Sequence, residues 1–408
     1  MLGALNRLIG GILLVAGTCI GAGMLGFPVT TAAGGFVASS YFFMGVWVLM
    51  TFTAFLMLEV TLYFKNDTNL ISMAKYTLGK KGAYVAWIVY VFFFYALMTA
   101  YTSGGASIFT DILSQIGFPL TEIEGTLLFL FTFSSILWMG HHVTDWVNRF
   151  FMMGLLAAYG ALLGLAVPAV NPAHLASGDS RYLWASVPLL VTAFGFHLLI
   201  PSLKTYLKQD ILSLRLSIGL GSLLSLLVYL IWEYVILGLI PQDALIAMAK
   251  GGQPVTHLTT ALQSGLHKPW IALSVQFFGL FALLSSFIGV AWAIFDFFAD
   301  GLHIPKYGKG KALLMLLTLG VPAFLSILHP QGFLSALHYA GVFAAILLIG
   351  FPAVMAWSIR QKSISSAPYR VIGGTPALVL AIVCGVGVII LEGFSKFQTS
   401  QTDISQVQ

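Results

Sequence analysis

Eleven apolar runs, most of them longer than twenty residues, follow one another along this chain of 408 residues. Crossing the hydrocarbon core of a bilayer as a helix takes about 20 apolar residues. The runs cover Leu8–Ala33, Phe36–Phe64, Ala83–Ile116, Gly125–Gly140, Val147–Val167, Leu183–Leu203, Ile211–Ile240, Trp270–Phe298, Ala312–Leu328, Phe333–Ile359 and Pro376–Phe394. They predict an all-α integral membrane protein with eleven transmembrane helices. Only 8% of the residues are charged and 59% are hydrophobic, against about 25% charged in soluble domains. That excludes a soluble globular protein and a disordered one. A transmembrane barrel is excluded too, because its strands alternate apolar and polar residues over about 10 positions.

The formal net charge of +5 comes from basic residues scattered singly between the runs, which speaks against nucleic acid as a partner. With the N-terminus inside, fifteen Lys and Arg fall in cytoplasmic segments and four, Arg181, Lys250, Lys268 and Lys396, on the other side. This asymmetry agrees with the positive-inside rule and predicts a periplasmic C-terminus. The first run continues to about Phe36, beyond the 7–15 apolar residues of a signal peptide, and is read as a retained span. Cys19 and Cys384 both lie inside apolar runs. They are expected as small buried hydrophobes, with no disulfide, metal or cofactor.

Two of the runs are interrupted. The first contains Gly17-Thr-Cys-Ile-Gly-Ala-Gly-Met-Leu-Gly-Phe-Pro28, and the sixth contains Thr192-Ala-Phe-Gly-Phe-His197 followed by Pro201. The string Gly21, Gly23, Gly26 has dinucleotide-loop spacing, but that motif needs a preceding strand, and this one sits inside an apolar span. Five spans separate the interruptions, so two halves would have opposite membrane orientation. Corresponding breaks in two halves are the sequence mark of an inverted-repeat transporter. The first repeat would cover residues 7–168, the second 182–359, and an added eleventh span 372–394, all within one domain of residues 1–408. An unwound turn frees N–H and C=O groups at mid-membrane, which is tolerable where they meet a ligand. Helix N-termini favour a carboxylate and freed carbonyls favour an ammonium or a cation, so a zwitterionic amino acid matches the arrangement.

At these residues the chain resembles the bacterial aromatic amino acid permeases. The resemblance rests on Gly17 to Pro28, on Phe194-Gly-Phe-His197 with Pro201-Ser202, on Asn148-Arg-Phe150 and on Phe295-Asp296 with Ala299-Asp300. It continues through Ala74-Lys75, Leu78-Gly79, Tyr95 to Tyr101, Tyr339-Ala-Gly341 and Tyr369-Arg-Val371. The family is similar to the amino acid–polyamine–organocation superfamily, with the LeuT-type five-plus-five inverted repeat. The resemblance, which is greater to its tyrosine-transporting members than to the tryptophan ones, implies symport of L-tyrosine across the bacterial inner membrane, usually with protons. Tryptophan or a broader aromatic range is the alternative substrate.

Carried over residue by residue, the resemblance places the substrate carboxylate at the N–H groups of Gly21, Ala22 and Gly23. The ammonium would meet carbonyls near Thr18 and Phe194. Phe196, Tyr95, Tyr101 and Tyr339 are candidates for lining the side-chain slot, with His197 or Ser103 as partner for the phenol. Ionisable residues inside spans are functional candidates: His197, Glu233 and Glu59, the two glutamates having no evident basic partner. Asp296 and Asp300, one turn apart, are expected to contact cytoplasmic lysines or a gate rather than to carry protons through the centre. Proton-coupled relatives often carry a lysine on the fifth span, where Leu155 stands here. Ser285 and Ser286 match a sodium-binding hydroxyl pair, which carbonyls of Gly17, Ile20 and Ala282 would complete, so the coupling ion is H+ with Na+ left open. A membrane-embedded enzyme has no use for paired breaks. A channel would present rings of like residues, which the sequence lacks. The oligomeric state is not legible.

Overall fold

The structure is a computed structural model and describes residues 2–64, 68–175, 178–249, 254–262, 269–362 and 369–407. Every regular element among them is helical. A chain this apolar has no water to satisfy its peptide groups, and a helix satisfies them within the segment. In chain order the helices are α1 (Leu2–Cys19), α2 (Phe27–Thr31), α3 (Gly35–Tyr63), α4 (Leu70–Gln115), α5 (Glu122–Trp138) and α6 (His141–Ala166). There follow α7 (Val187–Ala193), α8 (Ile200–Tyr206), α9 (Ile211–Leu239), α10 (Gln242–Ala249), α11 (Pro254–Thr260) and α12 (Pro269–Leu302). The last four are α13 (Gly308–Leu328), α14 (Phe333–Ala344), α15 (Phe351–Gln361) and α16 (Gly374–Val407).

Among the described residues, nine helical stretches are long and apolar enough to cross a membrane. The expected first span is divided between α1, whose apolar part Leu5–Cys19 is shorter than the rest, and α2. The expected fourth span corresponds to α5, with 17 residues. The eleventh run was expected to end at Phe394, whereas α16 continues to Val407.

Polar caps stand where the apolar runs stop. The side chain of Asn69 accepts from the Ser72 N–H at 2.9 Å at the start of α4. Thr121 and Glu124 form a reciprocal capping box on α5, and Asp210 caps α9, each satisfying donors that a helix start leaves open. Before the third apolar run a further helical stretch forms the first part of α4. It is set off at Gly79, whose φ of +77° kinks the helix in the left-handed region that side chains avoid. Residues 65–67 of that connection, and Lys250 and Lys268 of the expected charge pattern, lie outside the described residues.

Packing joins elements far apart in sequence. α6 lies against α12 and α4 against α14; α1 lies against α9 and α3 against α8; α4 lies against α5 and α12 against α13. α4 also meets α12, and α3 meets α9. The short helix α10 packs on α2, and α11 packs on α4, α12 and the turn at 22–26. The interrupted segments therefore sit inside the assembly, with Phe27, Phe194, Phe196, Tyr229 and Trp232 fully buried.

Candidate functional site

Both interruptions read from the sequence exist. α1 stops at Cys19, Gly21 is extended (φ −163°, ψ −158°), and a tight 3-10 turn over Ala22–Gly26 leads into α2. In the sixth segment α7 stops at Ala193, and Phe194 and Gly195 leave helical geometry (ψ 25° and 36°). A second 3-10 turn, Phe196–Leu199, then leads into α8. Pro28 and Pro201 stand in the first turns of α2 and α8, where a missing N–H costs nothing.

The two breaks face one another. A Cβ built on Gly23 would lie 3.5 Å from the Ala193 Cβ. Tyr229 of α9 stands between the breaks, and its phenol donates to the Cys19 carbonyl at 2.6 Å and to the Ala193 carbonyl at 2.9 Å. A hydroxyl has one proton, so it is shared between two carbonyls, each freed by a helix end. The Phe194 ring sits edge-on to the Tyr229 ring with centroids 5.0 Å apart. The sequence had pointed to carbonyls near Thr18 and Phe194. Thr18 itself is exposed, its hydroxyl bonded back to Leu14 O at 2.7 Å, and the Phe194 carbonyl accepts from Phe196 N–H at 3.1 Å.

The serine pair of α12 lies against the same turn. Ser286 Oγ accepts from the Ala22 N–H at 3.2 Å, and a Cβ on Gly21 would stand only 2.5 Å from that oxygen. Glycine at 21 is needed for this close approach. Ser285 bonds back to Ala282 O at 3.2 Å. Of the two hydroxyls expected to hold a cation, that of Ser286 thus lies beside the first break. Gly17, at the end of α1, approaches Met152 of α6, and Ile20 N–H still bonds to Ala16 O.

The aromatic candidates separate. Phe196 is fully buried with its ring beside His197. Tyr101 is buried on α4. Tyr95 turns to α13, donating to Leu317 O at 2.7 Å, and Tyr339 is half exposed. His197 is fully buried with Nε2 2.9 Å from Thr53 Oγ1, while its Nδ1 has no protein partner.

Glu233 lies one turn beyond Tyr229 on α9, fully buried. Its Oε1 meets the hydroxyl of Thr31, and its Oε2 has no partner. The Thr31 hydroxyl also reaches Phe27 O at 2.7 Å, so its single proton serves one of the two contacts. Glu59 corrects the sequence expectation of a carboxyl without a basic partner. It is held by Arg360, at 2.7 Å on each oxygen, because the fold brings the end of α15 against α3. Asp296 and Asp300 meet Lys306 at 2.8 and 3.5 Å as expected, and the Asp296 hydrogen bond raises the Lys306 ammonium above its ordinary pKa. Among the described residues, no cluster of three or more His, Cys, Asp or Glu could hold a metal.

Sequence reasoning passed over Tyr229, Thr31, Thr53 and Arg360. One signal was present: Tyr229 and Glu233, four apart on the same span, share a helix face.

The paired helix breaks lie buried in an assembly of long apolar helices, which marks a multi-pass membrane protein. The chain belongs to the tryptophan/tyrosine permease family, whose match spans residues 4–392. It is 34% identical over 385 residues to tyrosine-specific transport system 1 of Haemophilus influenzae, covering 94% of this chain and 95% of that protein. It is 31% identical over 386 residues to a tryptophan-specific transport protein of Pseudomonas aeruginosa, covering 93% and 92%, and 29% identical over 392 residues to one of H. influenzae, covering 93% and 94%. The chain is therefore a multi-pass membrane protein of a permease family and not an enzyme.

Proposed function

We propose that this protein imports L-tyrosine across the bacterial inner membrane by proton symport, alternating access around the breaks in the first and sixth segments. The observation that carries this reading is Tyr229 bridging the Cys19 and Ala193 carbonyls across the two breaks. An amino acid fits between these groups. Its carboxylate would take N–H groups of the 21–23 turn, displacing or sharing the Ser286 hydroxyl at Ala22. Its ammonium would take the carbonyl that the Tyr229 proton leaves, and its ring would lie toward Phe194, Phe196 and Tyr101.

The packing pairs support the five-plus-five repeat. Numbering spans in order, contacts of span 5 with 8, 1 with 7 and 3 with 4 each recur as 10 with 3, 6 with 2 and 8 with 9. Exchanging each span for the one five places away yields the same pairs. With the divided first span and the short α5 both counted, this reading has eleven spans and termini on opposite sides, and the excess of Lys and Arg in the segments expected inside favours a cytoplasmic N-terminus.

For coupling, Glu233 has the needed setting. A bare carboxylate buried without a basic partner costs several kcal/mol, so the acid form is the one this site accommodates. Its partner Thr31 sits on α2, the half-helix just beyond the first break, so proton gain and loss bear directly on that half-helix. The tyrosine preference rests on the relatives' named substrates and on the aromatic lining. Uptake of labelled tyrosine into proteoliposomes, competed by tyrosine, tryptophan, phenylalanine and serine, tests it. Strong competition by tyrosine alone is expected, and equal or stronger competition by tryptophan would move the substrate to the tryptophan class.

A further inference from the structure

A groove of ≈ 220 Å³ runs between α5 and α13, lined on one side by Leu130, Phe131 and Ser134 and on the other by residues between Met315 and Ala323. Phe131 and Leu316 are 72% and 66% exposed, so the groove opens on the outside of the assembly. α13 is one of the stretches long and apolar enough to cross a membrane, and an apolar outer face on such a span meets lipid. The hydroxyl in the lining, that of Ser134, is bonded back to Phe131 O at 3.2 Å. The groove itself therefore suits an apolar occupant.

One end of this apolar groove carries a charge. Ser134 and Trp138 are four apart on α5, and Lys311, Met315 and Leu319 are four apart on α13, so each row follows one helix face. The Lys311 ammonium donates to the Trp138 carbonyl at 2.7 Å and stands 5.1 Å from the centre of the Trp138 ring. This contact joins the two helices where α5 ends and fixes the ammonium in place. From Lys311 to Ala323 the α13 side runs about 18 Å along the axis, at 1.5 Å per residue. An ammonium has three donors, and the carbonyl takes one of them. Among the described residues no carboxylate pairs with Lys311, whereas Lys306 is taken by Asp296 and Asp300.

The geometry points to a site for one anionic phospholipid, with an acyl chain in the groove and the headgroup phosphate on Lys311 beside Trp138. Tryptophan and lysine at the end of an apolar run stand at headgroup level, and basic residues between spans receive phosphate-bearing headgroups. Lipid tails are as apolar as the side chains they touch, so moving a chain into the groove gains packing contacts and little else. The charge does the selecting, and the groove sets where the chain lies. An apolar length ending in a fixed cation matches an acyl chain ending in a phosphate. The site uses no residue of the helix breaks and stands whether or not tyrosine is the transported solute.

Native mass spectrometry of the purified protein in detergent reads bound lipid by mass. Dioleoylphosphatidylglycerol and dioleoylphosphatidylcholine are titrated in turn, since they share their chains and differ in headgroup charge. The first phosphatidylglycerol is expected to bind about fivefold more tightly than phosphatidylcholine, the scale of one lysine at an anionic membrane surface. Lys311→Gln should bring the two lipids to equal affinity, and Lys311→Arg should keep the preference. Ala323→Phe, which fills the groove, should weaken phosphatidylglycerol measurably while the protein stays monodisperse. Lys306→Gln should leave the preference unchanged, because that ammonium is already engaged by carboxylates. Equal binding of both lipids by the wild type, a loss in Lys306→Gln as large as in Lys311→Gln, or full binding in Ala323→Phe would overturn the assignment. So would a stable dimer that takes up no phosphatidylglycerol, which would give the groove to a second copy of the chain. Lys311→Gln changes a partly exposed side chain and carries the test where Ala323→Phe does not fold.

Discussion

Arg360 grips Glu59 along one edge of its guanidinium, Nε to Oε1 and Nη2 to Oε2, each at 2.7 Å. The side chains are only 9% and 3% exposed. The Val371 N–H adds a third contact to Glu59 at 2.8 Å, and Arg360 also reaches the carbonyls of Val371 and Gly374 at 3.2 Å. The cluster ties α3 to α15 and to the start of α16.

Removing one member leaves a buried charge unpaired, a change that costs about 3–5 kcal/mol. Arg360→Met is therefore expected to lower the melting temperature of the purified protein sharply. Glu59→Gln combined with Arg360→Met should recover part of the loss, because no charge is left stranded. Thermal unfolding in detergent checks this, and an unchanged midpoint in Arg360→Met would contradict the clamp.

How far the sequence went differs between these features for a physical reason. The breaks were legible because Gly21, Gly23, Pro28, Gly195 and Pro201 act on their own backbone, and local chain stiffness is a local property. The Glu59–Arg360 pair was not, because 301 residues separate its members and Arg360 reads along the chain as one more cytoplasmic loop charge. Tyr229 was hidden for a similar reason. A tyrosine in an apolar span is ordinary, and only the fold brings its hydroxyl to two carbonyls on different segments. Thr18 and Tyr339 carry motif residues, but one is exposed and the other half exposed. Helical phase within the assembly, not residue type, decides that.

Tyr229→Phe deletes the proton shared between Cys19 and Ala193. Two freed carbonyls then lack a donor, and each unsatisfied buried group costs about 1–3 kcal/mol. Tyrosine uptake should fall at least tenfold while the protein still reaches the membrane. Uptake near wild type would mean the bridge plays no part in holding the breaks for substrate.

Gly21→Ala places a methyl group against the Ser286 oxygen, 2.5 Å from the ideal Cβ position. The serine must move and its contact with the Ala22 N–H is lost. Uptake is expected to drop severely, with partial recovery when Ser286→Gly is added to make room. Absence of any effect from Gly21→Ala would show that this approach is not required.

Glu233→Gln keeps the shape of the side chain and fixes it as neutral. A carrier locked in the protonated-like form can still exchange labelled for unlabelled tyrosine but cannot use a pH gradient to concentrate it. Counterflow should persist in the variant while accumulation driven by a pH gradient disappears. Accumulation equal to wild type would remove Glu233 from the coupling step.

The most direct measurement is tyrosine accumulation in proteoliposomes under one imposed ion gradient at a time. Ion and substrate that bind one state cooperatively raise each other's affinity, so the coupling ion reveals itself by driving uptake. An inward proton gradient without sodium is expected to concentrate tyrosine, and Ser285→Ala with Ser286→Ala should leave that dependence on pH intact. Accumulation driven only by a sodium gradient, and lost in the double serine variant, would contradict proton symport and assign the ion to the hydroxyls beside the first break.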